Sequence, residues 1–307
     1  LADFNGITDQ VTVDGSLYEL PFRSDYWLIY YNKDVFDAAG IAYPSNDMTM
    51  EDYDALARQL TDTTYGSQVY GCHYHTWRSA VELFGILDGK HSILDGNYDW
   101  MIPYYDMILS EEDDGVCQTY TDLSTEGLHY SAAFSNGNVA MMNMGSWFIS
   151  TLISNLDSGE YDSSLCGNWG IASYPHPDGA EAGSTIATIT GLAVTSASAN
   201  KDAAFDFVNW VSGTEGAKVM ASTGNFPAIM TDDVINTIAG MAGFPTDESS
   251  KEALNITNAY LEVPYAENVS EINSILDTYH TSIMNREVTV EEGVASMNEQ
   301  VGKILNQ

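Results

Sequence analysis

Residues 17–41 read LYELPFRSDYWLIYYNKDVFDAAGI. Leu17, Leu20 and Phe22 begin a strand-like pattern, and Trp27–Tyr31 continue it as an apolar run of the kind that forms a buried strand. Arg23-Ser24-Asp25 stands between the two halves. A charged, polar break inside a segment that otherwise favours burial needs a physical reason, and the architecture turns on what that reason is.

The chain has 307 residues, enough for one large or two medium domains, and its 44% hydrophobic content suits a globular core. No apolar run approaches the length of a membrane span. Ten Lys and Arg against 44 Asp and Glu give a formal charge of −34, which argues against nucleic acid or an anionic membrane surface as the main partner. So many carboxylates also make chance pairs common, so a general acid/base couple cannot be nominated from composition. Cys72, Cys117 and Cys166 are odd in number and widely spaced. They read as three buried thiols, with one bridge plus a free thiol as the alternative.

Helices are marked along the chain. Thr49-Met50-Glu51-Asp52 is close to a capping box, followed by Tyr53, Leu56, Ala57 and Leu60 at helical spacing. Asn200 stands where a cap belongs, ahead of Ala204, Phe205, Val208 and Val211, with Gly213 as the stop. Ile272, Ile275, Leu276, Tyr279 and Ile283 mark another helix, and Thr289-x-x-Glu292 opens a last one carrying Val294, Met297, Val301 and Ile304. Strand-like segments at 139–144, 169–174 and 186–195 lie between them, an alternation that gives the α/β class.

The motifs of common enzymes are missing: no G-x-S-x-G, H-E-x-x-H, Walker loop or G-x-G-x-x-G occurs. His73-x-His75 lacks a third metal ligand, and packing or surface histidines are the simpler reading. Asp95-x-Asn97-x-Asp99 opens like a calcium loop but has Trp100 where the turn glycine belongs. The reading is therefore a protein with no catalytic residues, no metal and no cofactor.

Several segments together resemble the bacterial extracellular solute-binding proteins of ABC importers, in the maltose-binding-like family. Gly15–Pro21, Tyr30–Phe36 and Ala39-Gly40-Ile41 are similar to its "DGKxYALP…YYNKDLFEKAGI" signature. Phe134–Met142, ending in Gly145-Ser146-Trp147, is similar to its "FxxGKAAMxxxGxW" block. Thr190–Val194, Asn200–Ala204 and Thr214-Glu215-Gly216 resemble its "GGxGLAVSxxSKNKEAA…SxEGQ" block.

The resemblance implies a two-lobed, type II periplasmic-binding-protein-like fold with an interlobe cleft and a hinge. Residues 1–25 and 189–256 would form the smaller lobe, and residues 26–188 and 257–307 the larger. Because the chain starts almost at the signature, the smaller lobe would lack its first βαβ units. Arg23-Ser24-Asp25 would then be a partly solvated hinge crossing facing the cleft, with a second crossing within residues 188–191.

The resemblance further implies binding of an oligosaccharide and its delivery to an ABC transporter permease, with no turnover. The protein would be a monomer, at the cell surface as a lipoprotein or in the periplasm. The ligand-binding residues implied are Asp25, Tyr26, Trp27, Tyr74, Trp77, Trp147, Thr190, Asn225 and Phe226. Carboxylates accept sugar hydroxyls, and flat rings pack on the C–H faces of sugars. A polyamine is the alternative ligand, given the acidity, and a secreted carbohydrate-active enzyme the alternative class.

Overall fold

The computed structural model describes residues 4, 7–61 and 69–306. Six strands are present among them: β1 (Leu20–Asn32), β2 (Tyr70–His73), β3 (Val139–Gly145), β4 (Trp169–Ser173), β5 (Thr185–Leu192) and β6 (Ala259–Leu261). β1 organises the sheet, whose order is β2-β3-β1-β5-β6. Its first half, Leu20 to Tyr26, runs antiparallel to β5, and its second half pairs with β3 and with β4. Thus Asp25 lies opposite Thr188, whereas two residues on Trp27 lies opposite Gly145.

The polar triplet falls where β1 changes partners. It does not break the strand, which runs unbroken through 13 residues. Nor is it solvated throughout: Ser24 and Asp25 are buried, and only Arg23 is partly open. Backbone groups freed by the change of partner find others. Ser24 N–H donates to the Phe226 carbonyl at 3.1 Å, and Tyr26 N–H donates to Ser146 Oγ at 3.2 Å.

Beyond this point β1 is the core. Leu28, Ile29, Tyr30 and Tyr31 are buried, and rings from Phe36, Phe134, Phe148 and Trp169 meet the two tyrosines. The helix Met50–Leu60 begins with a full capping box between Thr49 and Asp52, and the helix Val290–Leu305 with one between Thr289 and Glu292. The latter packs against the helix Val269–Met284. The helix Lys201–Val211 forms as its spacing predicts, but Asn200 makes no side-chain cap. Only Val208 of its apolar positions is fully buried, while Phe205, Phe207 and Trp210 are exposed. A helical period shows that apolar residues share a face, not that something covers it.

Candidate ligand-binding cleft

A cleft of about 370 Å³ opens beside the middle of β1, at Trp27. Its apolar wall is a cluster of three indoles. Trp27 comes from β1, Trp147 starts the helix Trp147–Ser158 directly after β3, and Trp77 precedes the helix Ser79–Ile86. Trp27 meets Trp147 edge-on at 5.5 Å and Trp77 edge-on at 6.4 Å, and Trp77 and Trp147 tilt together at 6.3 Å. Trp27 is buried, Trp147 half-buried and Trp77 exposed to 41%, so the cluster offers ring surface to whatever enters. Gly145 makes the arrangement possible, because a Cβ there would lie 2.1 Å from the Trp147 ring.

The facing wall is polar. The Arg78 guanidinium is buried and donates to Glu82 Oε2 at 2.6 Å, to the Asn273 carbonyl at 3.1 Å and to Asn273 Oδ1 at 2.5 Å, and it also pairs with Asp277. Thr188 Oγ1 donates to Glu262 Oε2 at 2.7 Å. Burial raises the Glu82 carboxyl, with Arg78 opposing it. The same desolvation raises Glu262, and the neighbouring Glu82 charge adds to it. The imidazole of His280 accepts or donates at Nδ1 with the Tyr105 hydroxyl at 3.0 Å, and burial pushes its pKa down to about 3. His280 is therefore neutral near pH 7. Its Nε2 and the Trp27 indole N–H make no hydrogen bond of good geometry, although the Thr76 backbone lies near enough to His280, and Glu262 near enough to Trp27, to interact.

Three of the nine residues expected to bind ligand, Trp27, Trp77 and Trp147, come together in this cleft. The others lie elsewhere. Asp25 is 5% exposed and engaged within the protein: Arg23 Nη2 donates to Oδ1 at 3.1 Å, Ser146 Oγ donates to Oδ1 at 2.9 Å, and Arg23 Nε lies 2.6 Å from Oδ2. Tyr26 packs edge-on against Phe226, and both rings are buried. Tyr74 is buried against Tyr53 and Phe84. Asn225 bonds Thr223, and Thr190 is exposed two residues beyond the Thr188 that lines the cleft. Arg78, Glu82, Glu262, Asn273, Asp277 and His280 are cleft residues absent from the sequence expectation.

Of the two metal candidates in the sequence, His73 is wholly buried with neither ring nitrogen hydrogen-bonded, and the Asp95–Asp99 side chains are used within the protein: Asp95 accepts from Ser92 N–H, Asn97 from Asp99 N–H and Asp99 from the Asn298 amide.

A cleft lined by clustered indoles and hydrogen-bonding groups, on a sheet threaded by one long shared strand, suits the binding of a small solute. The model of the bacterial extracellular solute-binding protein family matches residues 1–218, and the chain belongs to that family. A Rhizobium etli sugar transporter protein, solved in an open conformation, is 48% identical, with a TM-score of 0.92 over 98% of this chain and 76% of that one. An ABC substrate-binding protein of Listeria monocytogenes in complex with cycloalternan shares the fold, at 22% identity and a TM-score of 0.78, over 97% of this chain and 74% of that one. The fold is thus the two-lobed, maltose-binding-like one that the sequence resemblance implies. The mannitol-binding protein of Pseudomonas aeruginosa is 24% identical over 223 residues, which is 70% of this chain and 49% of that protein. The chain therefore spans about half the length of the curated relative it matches. The family is one of solute-binding proteins, not of enzymes.

Proposed function

We propose that this protein binds an extracellular carbohydrate or sugar alcohol in the Trp27–Trp77–Trp147 cleft and hands it to an ABC transporter permease. The observation that carries this reading is the pairing of three adjacent indoles with a fixed polar wall. Sugars present apolar C–H faces to rings and hydroxyl edges to carboxylates, amides and imidazoles. The Thr188 hydroxyl, the Asn273 amide and the Asp277 carboxylate line the cleft and are suited to ligand hydroxyls.

Every residue lining the cleft falls in segments 26–188 and 257–307, which we assign to the larger lobe. Segments 1–25 and 189–256 form the smaller lobe, which closes over the ligand when binding contributes contacts to both sides. In this reading Asp25 positions the cleft rather than touching the ligand. The relatives support a sugar, since the Rhizobium protein is described as a sugar transporter and the Listeria protein holds cycloalternan.

A polyamine is favoured by one observation, that Glu82, Glu262 and Asp277 outnumber Arg78 at the polar wall. Calorimetry with oligosaccharides, mannitol and spermidine distinguishes the readings. The sugar reading expects saturable binding near the micromolar range, about −8 kcal/mol, without product formation. Binding of spermidine alone would replace it with the cation, and release of product from a glycan would replace it with an enzyme.

A further inference from the structure

Away from the cleft, a second group of side chains is buried without the partners its chemistry requires. The helix Ile102–Asp113 ends in a tight turn through Gly115, where Val116 N–H donates to the Glu111 carbonyl at 2.8 Å. That turn brings Cys117 back beside Glu111. Cys72, in the middle of β2, donates its N–H to the Val116 carbonyl at 3.4 Å, which places it against the same turn. As a result the two sulfurs and a Glu111 carboxylate oxygen all lie within 4.8 Å of one another. All three residues are buried, Cys72 and Glu111 completely.

Neither oxygen of Glu111 makes a hydrogen bond of good geometry, although the Tyr74 hydroxyl and the Asp54 carboxyl lie near enough to interact with it. A carboxyl group in a dry core with both oxygens unpaired is costly, and such groups are paired or bound to a metal. Two sulfurs and a carboxylate supply three of the four donors of a tetrahedral zinc site, in which sulfurs about 2.3 Å from the ion stand about 3.8 Å apart. Hard cations such as calcium and magnesium take oxygen donors only, so thiolates exclude them.

We propose that Cys72, Glu111 and Cys117 bind one Zn²⁺ as a structural site that ties β2 to the end of the helix Ile102–Asp113. The ion displaces the protons of both thiols and of the carboxyl, and three negative donors then meet its double positive charge. The Tyr74 phenol stands beside the site for the remaining position or as a hydrogen-bond donor to a ligand. Because the donors are closed off from solvent, the ion enters as the chain folds.

The test is to refold the reduced full chain with zinc, remove excess by gel filtration, and measure metal by mass spectrometry. The expected result is one zinc per chain and a raised melting temperature. Cobalt in its place should give a thiolate-to-metal charge-transfer band. Cys72→Ser with Cys117→Ser should abolish all three, and Cys166→Ser, a buried thiol elsewhere, should abolish none. Should the double variant not fold, Glu111→Gln keeps shape and thiols and should weaken zinc binding at least about tenfold. Zinc no higher in the wild type than in the double cysteine variant or Glu111→Gln would overturn the proposal. So would native protein two hydrogens lighter by intact mass with Cys72 and Cys117 in one linked peptide.

Discussion

Replacing Trp77 by alanine is the most direct perturbation of the cleft. The ring is 41% exposed. A tryptophan has roughly 250 Å² to bury, so about 100 Å² of Trp77 remains open to a ligand. At about 25 cal/mol per Å², covering all of it stabilises the complex by about 2.5 kcal/mol. A sugar stacked on one face covers about half, which leaves about 1.3 kcal/mol, or a tenfold rise in Kd on truncation. Calorimetry with the tightest-binding sugar of the panel measures it. Trp77→Phe retains a flat face and should stay within about threefold. Trp210→Ala removes an indole that is 53% exposed but outside the cleft, and should change nothing. If Trp77→Ala binds within about twofold of the wild type, with an unchanged melting temperature, the indole wall is not the ligand surface.

The cleft's supports can be tested in the same way. Gly145→Ala drives a Cβ into the Trp147 ring, so denaturant unfolding should show a loss of about 1–3 kcal/mol and calorimetry a weakened affinity. Arg78→Met strands the buried Glu82 charge and should cost about 3–5 kcal/mol by urea unfolding, more than half of it recovered in Arg78→Met/Glu82→Gln. In metal-free protein, burial pushes the Glu111 carboxyl up to about 8 from the ordinary 4.5, so between those values the folded state holds a proton that the unfolded state has lost. Stability should therefore fall as pH rises through that window, by up to about 4–5 kcal/mol, and Glu111→Gln should flatten the fall in unfolding measured at pH 5 and pH 8.5.

The sequence was most informative where structure is set locally. Thr49 with Asp52, and Thr289 with Glu292, close their capping boxes within one turn, so three residues suffice to recognise each. Of the three indoles that line the cleft, Trp147 carried the clearest local sign, a tryptophan just after a glycine at the end of a buried strand. The polar half was not legible. Arg78 meets Asn273 and Asp277 from almost two hundred residues away, and in a chain of this charge such an Asn and Asp look like ordinary solvated surface. One local cue existed: Arg78 and Glu82 stand four apart around Ser79–Ile86, a segment otherwise apolar enough to be wholly buried. Thr188 rather than Thr190 reaches the cleft, a distinction that depends on β5 register and not on residue type.

The polar triplet in β1 now has a physical reason different from solvation. A strand that exchanges one set of neighbours for another leaves backbone groups without a ladder partner, and buried backbone groups must be paired. Ser146 meets that need from the other side: its backbone N–H donates to the Tyr26 carbonyl at 2.8 Å, and its hydroxyl accepts from Tyr26 N–H while donating to Asp25. Asp25 must therefore be an acceptor in a buried place. Desolvation raises its pKa, and Arg23 and the Ser146 hydroxyl act in the opposite direction to hold the charge. The residue fixed by this arrangement is the one immediately before Trp147. A carboxylate that does not line the cleft thus sets where β3 ends and where the indole begins, so that the change of sheet partner and the position of the aromatic wall are one structural decision.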